Sequence, residues 1–489
     1  MASTLPPFNP ANIQGDILAG LPKKVQHYLF FQIDDDVTAF RKRLRLLIPL
    51  ITTTAQVQDD RAKIAANKKK AAEQGKAPEL LHLSGVNIAF SQFGLTKLGL
   101  KDNMGDTAFT SGQLADAANL GDAGANDANN QFVPDWINAF KNQIHGVVII
   151  SGDCDLTVTA TQATVLGIFN IGARITLHEV LTLKGVVRPG DEKGHEHFGF
   201  LDGISQPAVK DFDTKPNPGQ ETVRQGVILC GREGDVVAGS SPEQPFTRPA
   251  WALDGSFLAL RYLFQLVPEF DNFLKASADP TKGFTSDLLG ARLVGRWKSG
   301  APVDLFPLAD NPDAGKDPLQ NNNFRYDFPD DFKTQDRCPF AGHTRKTNPR
   351  NDLESLGFST ENRRIIRRGV QFGPELTREE VSSSKTLHGR GLIFVAYCGS
   401  ITNGFQFIQK SWANNTGFPI QKPIVPGFDP IIGQNNQGPN GIGPRSMSGA
   451  NPNDQTATLS LPTEWVVPKG GEYFFSPSIP ALRNTFALA

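Results

Sequence analysis

Apolar residues in this chain fall in short, dense runs separated by long tracts rich in Pro, Gly and Asn. His27 to Asp34 (HYLFFQID) has the length and residue types of a strand. A helix is expected from Val37 to Thr54, continuing weakly into Lys68-Lys69-Lys70, a charge run that reads as a solvated helix face. Leu83 to Phe90 and Gly146 to Gly152 (GVVIISG) are further strands. Between them, residues 100–135 are rich in Asn, Asp, Ala and Gly and read as a long loop with short helices. Leu166 to Phe169 and Ile175 to Val187 complete the first half, and residues 1–20 form an irregular arm. In the second half, Gly255 to Leu266 (GSFLALRYLFQL) is an alternating aromatic run, followed by a helix near Pro268 to Ala278. An irregular tract spans about 300–362, Gly391 to Ser400 (GLIFVAYCGS) is a strongly apolar strand, and 422–456 are mostly loop. Strands and helices mix in both halves without regular βαβ spacing. That favours α+β with antiparallel sheets over a doubly wound parallel sheet. No internal repeat is evident.

A chain of 489 residues exceeds one ordinary core. The stretch 210–250, dense in Pro, Gly, Gln and Ser, marks the best junction. A formal net charge of -1 supplies no global field to recruit nucleic acid or an anionic membrane. Phe (34) far outnumbers Tyr (5) and Trp (5). Phe resists oxidation better than either, which suits an oxidising enzyme, and a plain core preference explains the bias equally well. Cys154, Cys230, Cys338 and Cys398 are scattered, without CxxC or zinc-ribbon spacing. Two disulfides and free buried thiols both remain open. The N-terminus has no basic, then apolar, leader pattern, and no stretch is apolar enough to span a membrane. The expectation is a secreted mature chain, with a cytoplasmic one as the alternative. One glycosylation sequon, Asn414-Asn415-Thr416, is present.

Three segments carry candidate chemistry. In His195-Glu196-His197-Phe198-Gly199-Phe200-Leu201-Asp202-Gly203-Ile204-Ser205-Gln206-Pro207, Asp202 lies in apolar surroundings where a carboxylate needs a partner or a task. Asp-Gly is also a common turn. In Cys338-Pro339-Phe340-Ala341-Gly342-His343-Thr344-Arg345-Lys346-Thr347-Asn348-Pro349-Arg350, an imidazole able to ligate iron sits beside guanidinium groups able to clamp carboxylates. A satisfied core or surface histidine is the bland alternative. In Arg364-Ile365-Ile366-Arg367-Arg368-Gly369, arginines adjoin apolar residues, either near a buried site or in a solvated surface turn. His195 and His197 flank Glu196, yet no third metal ligand is evident, so their reading is structural. Cys338 with His343 lacks any protease context for a catalytic pair.

Together and in this order, the three segments resemble the dye-decolourising peroxidase family. The resemblance continues through Gly391-Leu392-Ile393-Phe394. It runs from Asn12-Ile13-Gln14-Gly15-Asp16-Ile17-Leu18 to Asp429-Pro430-Ile431-Ile432-Gly433, and the loop lengths look like the fungal branch. It implies two ferredoxin-like domains with antiparallel sheets and peripheral helices. Residues 1–220 would carry the distal Asp, and 221–489 would hold haem b (iron protoporphyrin IX), one per chain. His343 matches the proximal iron ligand, Asp202 the distal acid–base group, and Arg367 the distal Arg. Leu392 and Phe394 match apolar walls of the distal pocket, with Gly203 and Ile204 alongside. Arg345 resembles the Arg that meets a haem propionate, and Asp429 is the candidate acid behind His343. Trp412 matches a surface Trp that takes electrons from bulky substrates; a Trp packed under a loop is the alternative. Phe372 stands where some relatives carry a surface Tyr, and a Phe cannot easily relay a radical. The implied partners are hydrogen peroxide and aromatic or dye reductants, with no nucleic acid and no membrane. An Asp base beside Arg stays ionised to low pH, so activity is expected to be best in acid. Asp327, Asp330 and Asp331 read as an exposed acidic loop rather than a manganese site. The alternative function is a haem carrier of the same fold without efficient turnover. A non-haem binding protein is a further rival.

Overall fold

The computed structural model describes residues 5–487, apart from 171, 173, 238, 239, 241, 439 and 440. The first half supplies strands β1 (Val25–Ile33), β2 (Ser84–Phe90), β3 (Gly146–Gly152) and β4 (Leu177–Val186). The second supplies β5 (Ser256–Gln265), β6 (Ile366–Arg367), β7 (Val370–Phe372), β8 (Gly391–Cys398) and β9 (Val466–Ser476). All nine join one sheet in the order β6-β8-β5-β9-β2-β3-β1-β4, with β7 also paired to β8. The expectation of α+β with antiparallel sheets holds, since each pairing in this sheet is antiparallel. The halves meet where Phe475 of β9 pairs with Phe90 of β2. The sheet curls until its ends touch. A Cβ added at Gly185 in β4 would lie 2.2 Å from Val370 Cγ1 in β7, so the close approach requires glycine.

Helices α1 (Val37–Leu47), α2 (Thr54–Glu73) and α3 (Asp155–Phe169) belong to the first half. The single helix expected over Val37 to Thr54 is therefore two. Pro49 cannot continue a helix interior and leaves a 3-10 turn at Ile48–Leu50. α2 then restarts from a capping box between Thr53 and Gln56. Leu166 to Phe169 is the end of α3. The strands have period two, and both faces are covered, which explains their nearly continuous apolar character. Tyr28, Phe30, Ile149, Leu258, Ile393 and Phe474 make one cluster drawn from both halves. The alternate residues Leu29, Phe31, Val148, Ile150 and Phe475 pack in another, with Phe40 and Leu44 of α1 and Val158 and Phe169 of α3.

The sequence reading missed β9, although it sits mid-sheet between β5 and β2. Pro468 lacks an N–H, and the register with β5 breaks between Pro468 and Gly471. That bulge interrupts the alternation by which strands are read. Helix α4 (Val267–Ser277) falls where expected, and α5 (Ser286–Val294) follows it. They pack a third core from Phe198, Phe200, Phe270, Leu288, Leu289 and Trp465. The irregular tract after 300 contains short helices, among them α6 (His343–Thr347). Its carbonyls find partners in buried arginines. Arg292 alone donates to the oxygens of Gln335, Asp336 and Arg337 in this tract, and to those of Gly449 and Ala450 in the later loop region.

Candidate active site

A large cavity, with an empty volume of about 1920 Å³ including its open mouth, lies where the loops from both halves converge on α5, α6 and β8. Asp202, Gly203 and Ile204 line it from one segment, Arg367 from β6, Leu392 and Phe394 from β8, and His343 from α6. Apolar walls come from Val294, Ile365, Ile431 and Val466 as well. Residues far apart in the chain thus share one chamber, with charged groups set in apolar surroundings.

Asp202 ends a small hairpin. His195 bridges Leu201, and the Asp202 N–H donates to Gly194 O at 3.0 Å. Gly203 has φ +82°, a left-handed turn conformation that suits glycine, so the Asp-Gly turn and the cavity-facing carboxylate coexist. Asp202 Oδ1 accepts Arg367 Nη1 at 2.6 Å and Gly203 N–H at 2.6 Å. Both side chains are about one-third exposed, towards the cavity they line. Burial pushes the Asp202 carboxyl up, but the charge and hydrogen bond of Arg367 prevail and hold it below the usual carboxylate range. The pair is a base kept ionised beside a fixed cation.

His343 opens α6. Its Nδ1 lies 2.9 Å from Asp429 Oδ2. Asp429 is fully buried, and its Oδ1 accepts the N–H groups of Ile431 (2.8 Å) and Ile432 (3.0 Å). Burial disfavours the charged imidazole, yet Asp429 outweighs it and raises the His343 pKa. In the neutral ring the hydrogen bond to Asp429 places the proton on Nδ1, which leaves the Nε2 lone pair available to a ligand. Among the described residues, Nε2 has no hydrogen-bond partner.

Two sequence assignments require correction. Arg345 does not line the cavity. It is fully buried, paired with Asp352 at 2.6 and 2.8 Å, and donates to the carbonyls of Cys338 and Asp331. Four of its N–H donors are committed to holding the loop under α6, and the guanidinium does not reach the cavity lining where a propionate would lie. Trp412 is not a surface residue. It is 4 % exposed and stacks on Phe418 at 5.1 Å between ring centres. The packed alternative is the correct one, and Phe372 is buried as well.

The cavity also holds residues that sequence reasoning did not assign to it. Arg296 and Arg350 converge on Ser205 and Asn322: Arg350 Nη2 donates to Asn322 Oδ1 at 2.6 Å, and Arg296 Nη2 does so at 3.3 Å. Neither has a carboxylate within ion-pair distance among the described residues. Burial, then the nearby Arg350, bring Arg296 down to about 9. Arg350 was visible in the sequence as a basic residue near His343; Arg296 carried no signal.

The remaining candidates resolve simply. His197 Nε2 lies 2.9 Å from Phe372 O, and burial takes its pKa down to about 4, so it serves as a neutral donor. Glu196 accepts the N–H groups of Phe198 and Phe200, which shapes the same hairpin. Among the described residues, no three His, Cys, Asp or Glu side chains converge as a metal site, the Asp327–Asp331 loop included. Asp327 and Asp330 are exposed, whereas Asp331 is buried. All four cysteines are free thiols. Asn414 of the sequon is engaged, its amide donating to Leu120 O at 2.8 Å.

Residues 12–189 match the model of the DyP dimeric alpha+beta barrel domain. The chain belongs to the dye-decolorizing peroxidase family, in its fungal branch, and is a peroxidase. It is 45% identical to Peroxidase 2 of Mycetinis scorodonius, across 98% of this chain and 88% of that one. Dye-decolorizing peroxidase AauDyP1 of Auricularia auricula-judae is 42% identical, across 97% of this chain and 86% of that one. Among solved structures, an ancestral D-type dye decolorizing peroxidase is 57% identical, with a TM-score of 0.88 over 99% of this chain and 100% of that one. A mutant of the dye-decolorizing peroxidase from Pleurotus ostreatus superposes with a TM-score of 0.90 at 47% identity, over 99% of this chain and 100% of that one. Peroxidases of this family are haem enzymes.

Proposed function

We propose that the cavity holds one haem b between His343 and the Asp202–Arg367 pair, and that the chain uses it to reduce hydrogen peroxide while oxidising dyes and phenolic compounds. One observation carries this reading: an unpartnered imidazole Nε2 backed by a buried carboxylate shares a chamber with an ionised Asp held by Arg. The residues fit the group. Nε2 of His343 is a ligand of the right type. Arg296 and Arg350, buried without carboxylate partners, suit the two propionates, and the apolar walls suit the macrocycle. Leu392 and Phe394 would restrict what reaches the distal side. A solved relative, 43% identical, is described in complex with 2,6-dimethoxyphenol, which supports phenols as reductants.

A haem held here would supply, from its iron and macrocycle together, the two electrons that cleave the peroxide O–O bond. The Asp202 carboxylate accepts a proton from one peroxide oxygen and returns it to the departing one, which leaves as water. The Arg367 guanidinium stabilises the negative charge that develops on that oxygen. Two reductant molecules then give up one electron and one proton each, and the second peroxide oxygen leaves as water. Asp202 must be ionised first, and its lowered pKa keeps it so in acid, which supports an acid working range. Residues 1–220 would then supply the base and 221–489 the ligand and the cofactor bed. Secretion into an acid medium belongs to the same reading.

The test is stopped-flow absorbance of the haem-loaded protein with peroxide in acid. Wild type should show a rapid change in haem absorbance, His343→Ala should lose haem, and Asp202→Asn should slow the change. An Asp202→Asn variant as fast as wild type would remove Asp202 from the mechanism.

A further inference from the structure

β6 is only two residues long and stands at one end of the sheet order. Arg368 N–H donates to Val395 O of β8 at 2.7 Å, so the neighbouring residue, Arg367, turns its main-chain polar groups the other way. Among the described residues, no strand pairs with β6 on that side. Instead, Arg367 N–H donates to Gln206 Oε1 at 3.0 Å, and Gln206 Nε2 donates to Arg367 O at 2.9 Å. A primary amide offers the same donor and acceptor as a peptide unit, so Gln206 completes the ladder that β6 lacks. The same short segment also takes the guanidinium: Asp202 Oδ1 accepts Nη1 at 2.6 Å, and Ser205 O accepts Nη2 at 3.3 Å.

We propose that Gln206 is a positioning residue for the peroxide step, its amide clamping the Arg367 main chain to the 202–206 segment so that guanidinium and carboxylate meet at a set separation. The proposal rests on the peroxidase reading above. Pairing with β8 fixes the strand on one side, and the two guanidinium contacts tie only the end of the Arg367 side chain to the 202–206 segment. Two main-chain contacts add a second fixed point, and preorganised geometry is what makes a distal cation effective. The charged groups around Asp202 are Arg367, Arg296, His343 and Glu196. Of these, Arg367 is held by Gln206.

The experiment compares wild type, Gln206→Met and Asp202→Asn as haem-loaded full-length proteins. Met matches Gln in size but has neither the donor nor the acceptor. Two quantities are read: the second-order rate with peroxide, and the titration of the Asp202 carboxyl by infrared difference, assigned by its disappearance in Asp202→Asn. Gln206→Met should lower the peroxide rate by about tenfold or more and move the carboxyl titration upward, because a small misplacement is costly. A wild-type rate with a wild-type titration overturns the clamp. If Gln206→Met does not fold, Gln206→Glu decides. Its protonated acid restores the donor–acceptor pair, so its rate relative to wild type should climb as pH falls, and a flat ratio overturns the proposal. If Asp202→Asn reacts as fast as wild type, the peroxidase mechanism fails; if Asp202→Asn slows and Gln206→Met does not, the clamp alone fails.

Discussion

Glu472 lies buried on β9, where its Oε1 accepts Gln113 N–H at 2.9 Å and Tyr473 N–H at 2.7 Å. Burial pushes its carboxyl up to about 7, from an ordinary 4.5. The folded chain therefore keeps a proton that the unfolded chain releases above about pH 4.5. A raised pKa contributes stability that is full below the unfolded value and is lost as pH rises through about 7. The gap between 4.5 and about 7 corresponds to about 3 kcal/mol for this one group. Glu472→Gln should remove the pH dependence, because its amide oxygen still accepts both N–H groups and cannot ionise. At about pH 4 the variant and wild type should be equally stable; at about pH 8 the variant should be more stable by up to about 3 kcal/mol. With an unfolding entropy of about 2 cal/mol/K per residue, that is a rise of roughly 3 °C in Tm for a chain unfolding as one unit. Scanning calorimetry of the haem-loaded protein across this pH range measures it. Parallel Tm–pH curves for the two proteins would refute the reasoning, since they would mean Glu472 ionises alike in both states. Glu464 and Asp304 are also raised to about 7, chiefly by burial, and act in the same direction, whereas His145 and His197, lowered to about 4 by burial, act against it in acid.

Arg367→Leu should shift the acid limb of the peroxide step upward. Burial alone raises Asp202, and without the guanidinium its ionised form is lost as pH falls through a higher value; an unmoved limb in rate–pH profiles would count against the pair. Asp202→Asn should slow reaction with peroxide by about 10²–10⁴-fold while haem absorbance persists. Asp429→Asn should weaken haem retention by about 10–100-fold, read from haem transfer to a competing apoprotein, because it weakens the partner that orients His343. Arg345→Met should destabilise the fold in denaturant titration, but by less than the about 3–5 kcal/mol of a buried carboxylate left wholly unpaired, because Lys422 still pairs with Asp352. A propionate role would instead show as haem loss at unchanged stability.

The apolar runs alone identified β1, β2, β3, β5 and β8, because strands covered on both faces need nearly every residue to be apolar. They could not reveal β9, whose Pro468 and Gly470 break the pattern at a bulge that only the neighbouring strand and Phe140 explain. Nor could they separate α1 from α2, although Pro49 and the Thr53–Gln56 capping box were legible signals. The chemistry-bearing residues Asp202, His343 and Arg367 were readable as motifs, since side-chain type and order lie in the chain itself. Their meeting in one cavity, and the roles of Arg345, Trp412, Arg296 and Gln206, were not. Arg345 and Arg350 are the same residue type five positions apart in the chain, yet one is taken up by Asp352 and the other faces the cavity with Asn322. Which donors a guanidinium has left depends on neighbours brought from distant segments, and that is decided only when the chain packs.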